Sequence, residues 1–254
     1  MIQQELADLG ITAPDSGIAS FDVEETHPHW ATIAKWITRR NAVDIIRTSF
    51  SAKEIKNAKT LSLEPDWHHG YPQPEDGTPN FRQVTYDSSQ WCEECEVGLR
   101  QIAPFQMKGE PRWGKRSILQ LNWIFDEFFT TPHAWSDVFK PFGVEYRPVM
   151  NTKGAELSSV VQLVIRDTVG LIESALPQGV KCTQCGRMKY RPHVRGRFPS
   201  LRNDLPSAIC KSEEYFGSGG SAFQAVIVSQ ALANAMIEAG LRGASFHPVE
   251  EAAG

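Results

Sequence analysis

The chain has 254 residues, of which 41% are hydrophobic, and a net charge of −4. It is long enough for one large domain or two small ones with a real core. A pI near 6.0 argues against a dedicated nucleic-acid binder. No apolar run reaches the ~18 residues of a membrane span, and the opening MIQQELADLG lacks the basic and apolar regions of a signal peptide. The expectation is a soluble, cytoplasmic protein with no membrane partner.

Residues 1–34 contain no Lys or Arg but six acids, Glu5, Asp8, Asp15, Asp22, Glu24 and Glu25. They read as a loosely ordered acidic lead-in, with an acidic docking arm as the alternative. Trp30, Ile33, Ala34 and Ile37 recur at helical spacing, which predicts a helix from Trp30 to Thr48. Ser51 and Glu54 form a capping box, so a second helix is predicted from about Ala52 to about Leu61. The Pro- and Gly-broken stretch Trp67-His68-His69-Gly70-Tyr71 through Gly77 is a loop rich in aromatics. It marks the end of an N-terminal module, residues 1–80, ahead of a body spanning 81–254.

The body contains two similar segments. Phe128 to Pro132 leads into a helix with Trp135, Val138, Phe139 and Phe142 on one face. Gly143 ends that helix, and Val144 to Val149 reads as a strand. Ala225 to Ser229 reads as a strand ending in an N-cap. A helix with Leu232, Met236 and Ile237 follows, and after Gly240 to Gly243 comes the matching strand Ala244 to Val249. Two diverged strand–helix–strand units are therefore predicted, and the fold class is α+β. Between them, Glu156 to Ile165 reads as a buried strand.

Cysteine spacing carries the strongest chemical signal. Cys92-Glu93-Glu94-Cys95 and Cys182-Thr183-Gln184-Cys185 are two C-x-x-C pairs. Such a pair aims two thiolates at one tetrahedral site, and two pairs complete an all-thiolate zinc sphere. Gly186 follows the second pair and suits a tight turn under the metal, whereas Glu96-Val97-Gly98 follows the first. Residues 96–181, 86 in all, separate the pairs, so the expected zinc is structural and joins the two halves. Two redox dithiols are the alternative. The remaining thiol, Cys210, reads as buried and inert.

Other constellations are less specific. His68 and His69 lack the i, i+4 spacing of a helical metal motif, so they read first as part of a packed aromatic loop. Asp126 and Glu127 lie in an apolar segment, as acid/base groups, contacts to a cationic partner, or the wet face of a strand. Residues 181–202 hold seven basic side chains and no acid. They could clamp phosphates, but solvated or intramolecular use reads better. Gly217 to Gly220 is not followed by Lys-Ser/Thr, so it is not a P-loop.

The two knuckles, together with the closing pattern Ala225-Val-Ile-Val-Ser229 … Gly243-Ala-Ser-Phe246, resemble the bacterial double-CXXCG motif family over roughly residues 85–250. The resemblance carries over the four cysteines. Some members of that family are described as immunity proteins, which neutralise a cognate toxin. It thus implies a non-catalytic binding protein with a protein toxin as partner. On that expectation Trp67, Tyr71, Asp126, Glu127, Arg195 and Arg197 are the candidate partner-binding residues. The alternatives are a hydrolase-type enzyme using Asp126/Glu127 or His68/His69, and a nucleic-acid-binding zinc protein using residues 181–202.

Overall fold

A computed structural model describes residues 2–12, 20–40, 42–43 and 45–251. The chain divides into two compact units, Met1–Arg47 and Thr48–Gly254. The boundary expected at residue 80 falls inside the larger of these.

The smaller unit is a helix pair, α1 (Ile2–Asp8) and α2 (Trp30–Arg40). Leu6, Ile11 and Ile33 are buried in its core, and Trp30 and Ile37 pack beside them. The helical spacing of these side chains thus places one face of α2 inward. Part of the acidic lead-in is ordered rather than loose. Within it, Glu5 accepts from Trp36 Nε1 at 2.7 Å and from Arg40 Nη2 at 2.8 Å. Asp15 lies outside the described residues. Helix α2 stops at Arg40 rather than Thr48. Beyond it come Val43, Ile45 and Ile46, whose β-branched side chains lose rotamer freedom in a helix.

In the larger unit, α3 (Ala52–Asn57) has the predicted capping box, with the Ser51 N–H and the Glu54 carboxylate 2.9 Å apart. It ends four residues earlier than predicted, because β1 (Thr60–Pro65) is drawn into a sheet where strands flank it on both sides. The elements that follow are α4 (Phe81–Thr85), β2 (Tyr86–Asp87), β3 (Arg100–Gln101), β4 (Gln106–Met107), β5 (Ile118–Leu119) and β6 (Phe129–Thr130). A helical stretch begins as α5 (Pro132–Ala134) and ends at Phe142. Then come β7 (Glu145–Asn151), β8 (Glu156–Val164), β9 (Thr168–Val169), β10 (Gly179–Lys181), β11 (Met188–Tyr190) and β12 (Ile209–Phe216). The chain closes with β13 (Phe223–Ser229), α6 (Gln230–Glu238) and β14 (Ala244–Pro248).

The fold is mixed α+β and mostly sheet. A seven-stranded sheet runs β10-β11-β12-β13-β1-β14, with β9 also on β12, and a five-stranded sheet runs β4-β7-β8-β6-β5. Both predicted strand–helix–strand segments are present, and each straddles a third strand in the same way. Strand β8 lies antiparallel between β6 and β7, and β1 lies antiparallel between β13 and β14. The connecting helices meet in one apolar cluster, which holds Val138 and Phe139 of the first and Leu232, Ala233 and Met236 of the second. The first helix is irregular. It passes through a π turn (Trp135–Phe139) into a 3-10 turn containing Pro141, a residue with no N–H to give to an α ladder. Gly143, at φ 78°, ends it.

Strand β12 has no clear period in the sequence. Ile209, Cys210, Lys211 and Ser212 are buried in succession, and its pairing with β13 shifts register between Lys211 and Tyr215. A bulge of this kind breaks the period-2 pattern, so neither face of the strand shows as an apolar alternation.

Candidate metal centre and adjoining cleft

The two C-x-x-C segments meet in space. Sγ of Cys92 lies 3.7 Å from Sγ of Cys182, and Sγ of Cys95 lies 3.6 Å from Sγ of Cys185. All four sulfurs fall within 4.8 Å of one another. Thiolates around one tetrahedral zinc at ~2.3 Å stand about 3.8 Å apart, so the spacing fits a single ion. All five cysteines are free thiols, and the close sulfur pairs run between knuckles rather than within them. Among the described residues this is the one cluster of three or more His, Cys, Asp or Glu side chains able to hold a metal ion.

Each knuckle is closed by the same two backbone bonds. The Glu96 N–H donates to Cys92 O at 2.7 Å, and the Gly186 N–H to Cys182 O at 3.0 Å. The Cys92 N–H donates to Val97 O at 3.0 Å, and the Cys182 N–H to Arg187 O at 2.9 Å. Closure requires a left-handed residue after the second cysteine. Gly186 supplies it at φ 74°, and Glu96 adopts it at φ 66° without being glycine. The missing glycine of the first knuckle is thus replaced conformationally, and the Glu96 carboxylate meets Arg82 at 2.8 Å.

Protein contacts also hold the knuckles together. Arg187 Nη1 donates to Gln90 O at 2.7 Å and Val97 O at 2.9 Å. Glu94 accepts from Thr183 Oγ1 at 2.8 Å and from the Gln184 N–H at 3.0 Å. Gly98 sits at φ 110°, where a Cβ would run into Gln90 O and the Arg187 guanidinium, so only glycine lets the two loops close. The thiols are unequal. The backbone N–H of Cys95 favours the Cys92 thiolate and brings it down to about 7. At Cys182 the Cys185 N–H acts in the same sense, but burial and the Glu94 carboxylate outweigh it and push the thiol up to about 12. Binding a metal must displace that proton.

A cleft of about 1300 Å³ adjoins the centre, with Glu96 and Gly98 on its wall. On its floor Lys211 joins the two sheets. Its Nζ lies 2.6 Å from Glu127 Oε1 and 3.5 Å from Asp126 Oδ2. The other Glu127 oxygen accepts from Gln162 Nε2 at 2.9 Å, and Gln162 in turn exchanges amide bonds with Gln101. The two carboxylates raise the Lys211 pKa against its burial, while burial pushes the Glu127 carboxyl up against the pull of Lys211. Burial and both acids raise the Tyr86 hydroxyl well above its usual range. Burial and Asp126 raise Tyr215. Both phenols therefore stay protonated.

Of the predicted partner-binding residues, Asp126 and Glu127 line the cleft, and Trp67, Tyr71, Arg195 and Arg197 are not among its lining residues. Asp126 and Glu127 are on the cleft floor, and Glu127 is buried at 8% exposure. Tyr71 packs against Trp123, with the ring centroids 4.5 Å apart and the rings tilted by 53°. Trp67 packs against Trp113 at 5.7 Å with Arg116 over its ring at 4.9 Å. Arg197 lies 3.7 Å from Glu54, and Arg195 is exposed. The His68–His69 segment is a loop, and burial lowers both imidazoles. In the basic stretch, Arg187 serves the knuckles, Lys189 Nζ donates to Gly219 O and Ser221 O, and Arg202 pairs with Glu213 and Glu214. Cys210 is buried in an apolar cluster that pushes it up to about 12.

Sequence reasoning did not single out Lys211, Gln162, Tyr86, Arg147 or Trp123. None lies in a motif, and only the pairing of β7, β8 and β12 with their neighbours gathers them. No family model matches the chain, and no curated protein matches it.

Proposed function

We propose that the chain is a non-catalytic cytoplasmic binding protein of the immunity type, whose scaffold is stapled by one structural zinc and which neutralises a protein toxin by occlusion. The observation that carries the structural role of the metal is the convergence of four thiolates from both knuckles. Four sulfur ligands fill a tetrahedral ion and leave no position for substrate or water. The toxin partner follows from the resemblance of the knuckles and the closing strand–helix–strand to the double-CXXCG family. The reading is tested by co-expressing the chain with the toxin encoded by a neighbouring gene. Protection of the host cells is expected, and unprotected cells would sink the reading.

A hydrolase-type enzyme is the second reading, favoured by Asp126, Glu127, Lys211 and two protonated tyrosines in one cleft. Against it, both oxygens of Glu127 are already engaged, which is the pattern of a structural ion pair. The nucleic-acid reading is weakened by the internal use of Arg187, Lys189, Arg197 and Arg202.

A further inference from the structure

The cleft has an uneven distribution of available charge. Each of its acids already faces a cation: Asp126 and Glu127 face Lys211 on the floor, Glu96 faces Arg82, Asp87 faces Arg100 and Glu75 faces Lys108. Its cations stand forward. Arg100 and Arg166 line it with side chains 76% and 65% exposed, each in a surface pair, with Asp87 and Glu145 respectively. Such pairs contribute little and exchange partners readily. Arg147 also lines the cleft and makes no ion pair or side-chain hydrogen bond with any described residue. It stands on β7 directly across from Gln162 of β8, the residue that meets Glu127.

The mouth of the cleft is aromatic. Trp123 is half-exposed (50%), and its backbone is in the left-handed region at φ 68°. A bulky residue is strained there, yet its ring is turned outward, held by Tyr71 at 4.5 Å and Phe81 at 6.2 Å. Phe125, on the same rim, is also exposed. Trp, Tyr and Arg are the side chains that most often dominate protein–protein binding energy. The volume, about 1300 Å³, exceeds the roughly 300–1,000 Å³ of a small-molecule pocket.

We infer that this cleft is a peptide-recognition site and takes an acidic segment of a protein partner, with a carboxylate on Arg147 and an aromatic side chain on the Trp123–Phe125 rim. The inference rests on the binding-protein reading and names the chemistry of the partner segment. Arg100 and Arg166 would exchange their surface partners for the acids of the incoming segment.

The test is calorimetric titration of the full-length, metal-loaded protein with a short blocked peptide of Glu, Ser and one Phe. A peptide with Lys in place of Glu and a single-stranded oligonucleotide serve as comparison probes. Saturable binding of the acidic peptide is expected, weakening as salt rises, with none for the lysine peptide. Arg147→Glu and Trp123→Gly should each weaken it by about tenfold or more, with zinc content and melting temperature kept. Arg191→Glu, exposed and outside the cleft, should leave it unchanged. No binding of the acidic peptide, equal binding by both cleft variants, or tighter binding of the oligonucleotide would overturn the inference. Toxin protection is scored separately. Protection that survives both cleft variants would remove the cleft and keep the binding-protein reading. Peptide binding without protection would do the reverse.

Discussion

Glu96 and Gly186 occupy equivalent positions in the two knuckles. Each follows the second cysteine of its pair, at φ 66° and 74°, and donates its N–H to the carbonyl of the first cysteine. The two halves of the four-cysteine cluster are thus built to one backbone plan, although only one has the sequence that announces it.

Replacement of Glu96 by glycine tests that equivalence. It removes a left-handed strain of about 1 kcal/mol and also the ion pair with Arg82, worth about 0–1 kcal/mol. Metal content should be unchanged and stability equal or slightly higher by thermal melting. A β-branched Glu96→Val should cost about 1–2 kcal/mol. Loss of metal from the glycine variant would contradict the shared plan.

Elemental analysis of protein purified without added metal should find one zinc per chain. Cys182→Ser should lose the metal and much of the stability, because binding free energy is coupled to folding. Cys210→Ser should retain the metal, since that thiol is buried in a separate cluster. Substoichiometric metal with both pairs oxidised would favour two dithiols instead.

The floor ion pair gives a mutant with a signed pH dependence. Lys211→Met leaves Glu127 buried without its counter-charge, at a cost of about 3–5 kcal/mol near neutral pH. With the pull of Lys211 gone, burial and the neighbouring Asp126 act against the Gln162 hydrogen bond alone, and the folded-state carboxyl pKa lies further above its unfolded value. The variant should therefore gain stability as pH falls through that folded value and the neutral acid forms. The double variant Lys211→Met, Glu127→Gln should recover much of the loss. Denaturant titration across pH measures both, and a single variant as stable as wild type would show that the pair is unimportant.

Glu110 gives the opposite sign. Burial pushes its carboxyl up, but the hydroxyl of Ser159, the N–H groups of Ser158 and Ser159 and the Ser158 hydroxyl together hold it below the usual range. Its contribution is present above the unfolded pKa and is lost as pH falls through the depressed folded one. Glu110→Gln should cost about 1 kcal/mol at neutral pH, a figure discounted for solvent exposure, and converge with wild type in acid. An unchanged melting temperature at neutral pH would show that these bonds contribute nothing.

The sequence by itself determined the local features. C-x-x-C spacing picks out the four thiols, the Ser51–Glu54 box starts α3, Ser229 caps α6, and apolar runs mark β8 and β13. Each depends on residues a few positions apart, where periodicity and capping chemistry act. Local pattern misjudged where α2 and α3 end, because nothing near Leu61 shows that strands will pair with it on both sides. Tertiary structure alone decided the rest. Cys92 lies beside Cys182, Lys211 of one sheet faces Glu127 beside the other, and Arg147 and Trp123 share one cleft. Those meetings depend on sheet order and on the bulge in β12, which are set by packing between residues far apart in the chain. No spacing rule records a lysine whose side-chain partners lie more than eighty residues away.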